Sequence, residues 1–315
     1  MPSKISVIVT CFNHEEYVEQ CLRSIFEQTY KDIDLLVIND GSTDNSNEII
    51  TRVLKDSTFP FTEYINQKNA GFCVTRNNGF EWALGRDGEF LLFVDSDDYL
   101  DKDYIEEIIK IAVSKNADIV YTNLVNAQTG EFVVKAIDYS FDILLRGNFI
   151  NNSSLVRVSK IGKSRFDVNM RKWADYDFFL SLIINNGACP HPSSAKLRYR
   201  VLKNSISRKN NRESFEENYT IYLYIMNKYI NKCTEKVIMA MSYNLLASGH
   251  KQDYLIDLVE KANAHVHRLK QYLASYKEDV KHLQNEKECL RLRIQDLENQ
   301  IKNRNGNANF QGKKE

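Results

Sequence analysis

Neither sign of charge predominates: 42 Lys and Arg face 42 Asp and Glu, so the formal net charge is zero. A chain without a global field draws neither nucleic acid nor an anionic membrane to itself. Local clusters must carry any electrostatic function, and no nucleic-acid partner is expected. No apolar run approaches the ~18 residues of a spanning helix. Met1-Pro-Ser-Lys4 leads at once into an apolar strand, without the core of a signal peptide. Also lacking is any C-x-x-C pair or zinc-like spacing among Cys11, Cys21, Cys73, Cys189, Cys233 and Cys289. They read as reduced, mostly buried thiols. The expected location is the cytoplasm, with peripheral work at the inner membrane face open through a partner or a lipid-linked substrate.

What is present is enough for one sizeable core and something extra: 315 residues, 43% hydrophobic and 27% charged. The first half alternates short apolar runs with helical patterns. Ile5–Thr10 and Leu35–Ile38 read as buried strands, Phe61–Ile65 as a third and Phe90–Val94 as a fourth. Helical spacing covers about Glu15–Gln28, the stretch from the Gly41–Asp44 turn through Leu54, the stretch from Gly71 to about Leu84, and Tyr104–Val113. Such alternation implies an α/β fold with a mostly parallel sheet covered by helices on both faces. In these sheets ligands sit beyond the carboxyl ends of the strands. Thr10–Asn13, Asn39–Ser42 and Asp95–Asp98 all follow strands and should converge on one edge.

Beyond Asp118 the pattern is mixed. Ile119–Tyr121 and Phe132–Val134 look like strands, and Trp173–Asn186 like a helix. Glu213–Leu246 reads as helical with a break near Asn231–Thr234. From Val259 the apolar spacing becomes 3-4-3-4. One seam is Val259, Val266, Leu273, Val280, Lys287, Ile294 and Ile301; the other is Ala262, Leu269, Tyr276, Leu283, Leu290 and Leu297. β-Branched residues lead the first seam and leucines the second, which favours a parallel two-stranded coil, a homodimer through 259–301. Glu286 would meet Arg291 of the second copy, and Arg293 would meet Glu298; Lys287 in the seam fixes register. The competing reading is a helix packed on its own domain. The polar residues 304–315 are expected to be disordered.

The sharpest chemistry is Asp95-Ser96-Asp97-Asp98, three carboxylates within four residues at the end of a buried strand. Uncompensated, they repel; a divalent cation with a diphosphate resolves the repulsion, because hard cations take oxygen ligands. The bland alternative is a turn with Asp101 starting the next helix. In Asn39–Asp44, Asp44 or Asn45 can cap a helix, with Glu48 available for a capping box. Capping does not explain Asp40, a carboxylate at the strand tip that can accept an N–H from a nucleobase. Arg76, one turn into its helix, is placed to pair with phosphate or with an acidic loop, a structural ion pair being the equal alternative. Asp175 and Asp177 lie two apart on a helix, so at most one faces a site.

Taken in order, Val7–Asn13, Gln28–Tyr30, Asn39–Asp44, Asn69–Gly71 with Arg76-Asn77, Val94–Asp98 and Ala174-Asp175 resemble the family-2 inverting glycosyltransferases of the GT-A fold, of the bacterial polysaccharide or glycoconjugate type. The likeness covers about residues 4–207 and leaves out the heptads. It implies a GT-A domain over 1–210; the helical pattern reads as a helical extension at 211–254, and the heptad spacing as a coiled-coil oligomerisation segment at 255–303. It further implies an enzyme of the hexosyltransferase type that moves a sugar from a nucleotide donor, usually a UDP-sugar, to a glycan, lipid-linked or protein acceptor. Thr10, Phe12 and Asn13 would line the nucleotide pocket, with Phe12 against the base and Asp40 binding it. Arg76 would lie near the base or diphosphate. Asp95 and Ser96 would meet the ribose and metal region, and Asp97, with Asp95, would ligate Mn²⁺ or Mg²⁺. Asp175 would be the catalytic base. Two positions depart from the family pattern. Ala174 stands where an acid usually precedes the base, and Leu202 where many members carry a histidine, which would shift phosphate contacts to Arg200, Lys203 or Arg208. A non-catalytic scaffold and a nucleotidyltransferase are the alternatives; the latter lacks its Gly-rich loop after the first strand.

Overall fold

A computed structural model describes residues 3–202 and 212–247, with 271, 274, 275 and 277–295 of the C-terminal segment. The first strands are buried because their apolar runs are continuous. β1 (Ile5–Cys11) is followed by α1 (Val18–Phe26), β2 (Ile33–Asn39), α2 (Ser46–Val53), β3 (Phe61–Asn66), α3 (Phe72–Leu84) and β4 (Phe90–Asp95). These strands pair in parallel in the order β3-β2-β1-β4. Every residue of β2 is buried, which explains why it shows no polar alternation.

The remainder mixes directions. It comprises β5 (Tyr99–Leu100), α4 (Tyr104–Ser114), β6 (Ile119–Asn126), β7 (Phe132–Val134), α5 (Phe141–Arg146), β8 (Leu155–Arg157), α6 (Ala174–Asn186), β9 (Pro190–Tyr199), α7 (Arg212–Tyr229) and α8 (Thr234–Ala247). β8 runs antiparallel to both β4 and β6, β9 parallel to β6, and β5 and β7 close edges antiparallel.

Alternate side chains of the central strands enter two cores. Val7, Val9, Leu35, Val37, Leu92 and Val94 pack with α1, α2 and α4. Ile8, Leu36, Ile38, Leu91 and Phe93 face α3, α5, α6, α7 and α8. In this second core Phe80, Phe166 and Phe178 stack with centroids 4.8–5.5 Å apart. α3 can lie this close to the sheet because of Gly79, where a Cβ would meet Ile8 at 3.0 Å and Phe93 at 3.1 Å.

Three helices hold the short α5 by its C-terminal carbonyls. Tyr176 of α6 donates to Leu144 O (2.6 Å), Tyr222 of α7 to Leu145 O (2.9 Å) and Asn244 of α8 to Arg146 O (2.7 Å). These are the groups a helix end leaves without intrahelical partners. α7 and α8 also bury Tyr222, Ile225, Met226, Tyr229, Val237 and Ala240 in the second core.

The chain divides into two compact units, Met1–Asn244 and Leu245–Glu315. Within the second, 277–295 are helical, and the seam residues Leu283, Leu290 and Ile294 are 62%, 64% and 57% exposed. Val280 and Lys287 lie in the same helix. The other seam positions, Glu298, the 304–315 tail, Lys203 and Arg208 fall outside the described residues.

Several expectations are corrected. α1 begins at Val18 rather than near Glu15, because 14–17 form a turn closed by Tyr17 N–H and Val18 N–H on His14 O. Asn45 makes no capping bond; Asp44 accepts from Ser46 N–H instead, at 3.0 Å. Asp101 caps nothing and forms a two-pronged pair with Arg198 (2.7 and 2.9 Å). Of six free cysteines only Cys11, Cys21 and Cys73 are buried, while Cys189 and Cys289 are exposed.

Candidate active site

The parallel register sets Thr10 opposite Asp95 and Cys11 opposite Asn39, so the loops after β1, β2 and β4 meet on one edge. Asn13, in the left-handed region at φ 56°, ties two of them together. Its N–H donates to Ser42 Oγ (2.9 Å) and its Oδ1 accepts from Thr43 N–H (2.7 Å). Beside it the Phe12 ring is 44% exposed, a large apolar surface open at the ligand edge.

Asp40 is buried and organises the next loop. It accepts from Gln67 Nε2 (2.8 Å), Ala70 N–H (2.9 Å) and Gly71 N–H (3.0 Å). Three of a carboxylate's roughly four lone-pair positions are thus used, leaving about one for a ligand. Gly41 permits the close approach: its φ is +70°, and a Cβ there would lie 2.5 Å from Asn69 N.

The four residues of the acidic tip have different tasks. Asp95 accepts from Arg76 Nη2 (2.6 Å), with Thr10 Oγ1 at 3.5 Å and Asn152 Nδ2 at 3.4 Å. Arg76 is buried near the rings of Phe72 and Phe166, 5.3 and 5.4 Å away. Burial works against its charge, but Asp95, helped by Asp175 and Cys73, more than offsets this and keeps it protonated. Burial, then the Asp95 charge, pushes the Asp97 carboxyl above the usual range. His14 Nδ1 sits 4.0 Å from Asp97 Oδ1 and 2.7 Å from Ser96 Oγ. Asp98 points away and accepts from Arg200 N–H at 2.9 Å; burial and Asp97 push its carboxyl well up. Arg200 in turn donates to Asp97 O and Gln20 Oε1 and lies over Tyr17 (4.9 Å) and Tyr99 (5.1 Å). Its guanidinium braces the tip from behind.

Asp175 enters from α6. Trp173 takes a left-handed conformation (φ 56°) before the helix and so turns Asp175 into its first turn. Asp175 Oδ2 accepts from Asn148 Nδ2 at 3.0 Å. Burial raises its carboxyl, Arg76 pulls it down and Asp95 pushes it up, so the three groups share one electrostatic neighbourhood. Asp177 faces elsewhere, bound by Lys228 Nζ (2.8 Å) and Tyr229 OH (3.1 Å). Thr10, Asn13, Asp40, Arg76, Asp95, Ser96, Asp97 and Asp175 therefore gather at the ends of β1, β2 and β4.

A sequence model of glycosyl transferase family 2 matches residues 6–165. The chain belongs to this family. Among curated relatives it is 43% identical over 126 residues to glycosyltransferase GlyA of Streptococcus pneumoniae, covering 38% of this chain and 16% of that protein. It is 38% identical over 120 residues to the putative glycosyltransferase EpsH of Bacillus subtilis, covering 38% and 33%. The matches thus span a third or less of these two relatives. A longer match is the putative teichuronic acid biosynthesis glycosyltransferase TuaG of B. subtilis: 25% identity over 236 residues, 73% of this chain and 91% of that one. Among solved structures, S. aureus TarS 1–349 in complex with UDP aligns at TM-score 0.58 and 19% identity, over 77% of this chain and 70% of that one. The Pyrobaculum calidifontis mannosyltransferase PcManGT in complex with GDP-Man and Mn²⁺ aligns at TM-score 0.53 and 12% identity, over 84% and 80%. The shared fold is GT-A.

In this family-2 chain the acidic tip offers a cation a single free carboxylate rather than a complete protein shell. Among the described residues no group of three or more His, Cys, Asp or Glu is placed to hold a metal. Asp95 is already neutralised by Arg76, which leaves Asp97 as the carboxylate facing the edge. A hard cation completes its shell readily from diphosphate and water oxygens. Two site residues escape sequence reasoning. His14 approaches the acidic tip from the β1 side, whereas the family pattern directs attention to Leu202; its place just beyond a strand tip was the available signal. Asn148 carries no motif, and nothing in the sequence announces it.

Proposed function

We propose that this chain transfers a sugar from a nucleoside-diphosphate donor, a UDP-sugar, to an acceptor hydroxyl with inversion. The observation that carries the reading is the grouping of Asp175, Arg76 and Asp95 beside Asp97 at one sheet edge. The acceptor oxygen attacks the anomeric carbon as the bond to the diphosphate breaks. The hydroxyl proton passes to Asp175, and the electron pair leaves on the nucleoside diphosphate. Mn²⁺ or Mg²⁺, held by Asp97 with help from Asp95, would neutralise that leaving charge. Thr10, Phe12, Asn13 and Asp40 hold the base, with the Phe12 ring against it; Asp95 takes the ribose side, while Ser96, expected there too, is buried and holds His14 beside the acidic tip. The TarS fold is seen with UDP and with UDP-GlcNAc, which supports the choice of uridine. The reaction serves surface polysaccharide or glycoconjugate synthesis at the cytoplasmic membrane face. No helix among the described residues is long and apolar enough to cross a membrane.

The test is a panel of UDP-, GDP- and dTDP-sugars with and without Mn²⁺. Free nucleoside diphosphate should appear, and Asp97→Asn should remove most of the metal dependence. Release of pyrophosphate would mean a nucleotidyltransferase, and no nucleotide binding by calorimetry would mean a scaffold.

The same reading includes a parallel homodimer through 259–301, a rod of roughly 60 Å. The exposed Leu283, Leu290 and Ile294 motivate it. Light scattering of the full chain should give twice 36.7 kDa, and Leu283→Lys with Leu290→Lys should halve it. A wild-type monomer would defeat the dimer without touching the transferase reading.

A further inference from the structure

Asn148 occupies a position that the family motifs do not assign. Its amide is used at both ends. Oδ1 accepts from Ile150 N–H at 3.0 Å, and Nδ2 donates to Asp175 Oδ2 at 3.0 Å. The first bond fixes which end of the amide points at Asp175, because the acceptor end is committed to a backbone donor. The residue is exposed at the site, and the backbone leading into it is anchored. It follows α5 by a single extended glycine, and α5 is held at its last carbonyls by Tyr176, Tyr222 and Asn244. An amide on such a mount delivers its N–H to a defined place.

We propose that Asn148 is a positioning residue for Asp175, holding its carboxylate ionised and oriented toward the acceptor hydroxyl. This rests on the reading of Asp175 as the base. A donated N–H stabilises the charged form of a carboxylate over the neutral one. It also restricts rotation of the carboxylate, and misalignment of a reacting group by about 1 Å can cost on the order of 100-fold in rate. The other groups acting on the Asp175 carboxyl are Arg76 and Cys73 from α3, Asp95 from β4, and the backbone N–H groups of Tyr176 and Asp175 itself. None of them bonds to Asn148, so they stay in place when it is changed.

The two bonds can be separated. Asn148→Asp keeps an oxygen for Ile150 N–H but replaces the donor to Asp175 by an acceptor. Asn148→Ala loses both. The full chain with each substitution is compared with wild type and with Asp175→Asn. The titration of the Asp175 carboxyl is followed by carbon-13 NMR and assigned by its loss in Asp175→Asn. UDP release from UDP-N-acetylglucosamine gives the turnover. Asn148→Asp should melt as wild type does and bind UDP equally well. Its Asp175 midpoint should move to higher pH, as should that of Asn148→Ala, and kcat should fall on the order of 10- to 100-fold with KM nearly unchanged. An Asp175 midpoint unmoved in both variants overturns the proposal and leaves Asn148 as a turn former. Wild-type turnover in Asp175→Asn would instead sink Asp175 as the base, and the NMR midpoints would still report on the contact itself.

Discussion

Asp175→Asn should lower sugar transfer by about 10²- to 10⁴-fold, the range a positioned general base supplies. A carboxamide cannot take the acceptor proton at neutral pH. Its oxygen can still accept from Asn148 Nδ2, so the local geometry should persist. Nucleotide affinity should change little, because the contacts proposed for the base and diphosphate lie at the ends of β1, β2 and β4 and on α3, not on α6. The stability effect has the opposite sign. Burial raises the Asp175 carboxyl above its ordinary 3.8, so the folded state holds its proton more tightly than the unfolded chain does. Such a group costs stability above its folded pKa, and the cost disappears as pH falls through that value toward 3.8. The variant should therefore melt at or above the wild-type temperature near neutrality, with the gap closing in acid. Thermal scans from pH 4 to 8 beside initial rates check both halves. A variant that keeps full transfer, or melts well below wild type at pH 7, contradicts this account.

Arg76→Met should damage both stability and chemistry. The methionine keeps an apolar stem between Phe72 and Phe166 but removes the charge 2.6 Å from Asp95. Asp95 would then face the raised Asp97 carboxyl with only Thr10 and Asn152 as its side-chain donors. Removing one member of a buried pair costs about 3–5 kcal/mol. The two side chains are 11% and 32% exposed, so solvent screening reduces the expected loss to about 2–3 kcal/mol. In a unit of this size that lowers Tm by roughly 5–10 °C. Arg76 also draws the Asp175 carboxyl down, so its loss should move the acidic limb of the rate profile to higher pH. Denaturant melts and a pH–rate series decide it. A melt unchanged within error would mark the pair as a surface-like contact.

The parallel half of the fold was legible because burial on both faces leaves uninterrupted apolar runs, as in Leu35–Ile38 and Phe90–Val94. The mixed half was legible only in part: α4, β6, β7, α6, α7 and α8 followed the sequence pattern, whereas β8, α5 and β9 did not show in it. β8 has three residues, too few for any period, and α5 has six. β9 contains Pro190 and Pro192, and small residues such as Ser193 and Ala195 fill its buried positions, so its alternation is hidden. At the site, the strand tips announced themselves by charge after apolar runs. Asp40 was legible as a carboxylate at a strand tip, but not its commitment to Ala70 and Gly71 N–H, since such bonds depend on how two distant loops meet. His14 and Asn148 were silent for the same reason. A lone polar residue in a loop acquires meaning only from what the fold sets against it.

The grip of α6, α7 and α8 on the end of α5 bears on where this protein can be cut. The sheet ends with β9 at Tyr199, which invites a minimal fragment ending soon after it. Such a fragment would lack Tyr222 and Asn244 and would strip two carbonyls of α5, the helix that leads into Asn148. It would also expose the apolar face that Ile225, Met226 and Val237 cover. A truncated version meant for crystallisation, or for grafting its specificity onto another scaffold, should therefore retain the chain through at least Asn244.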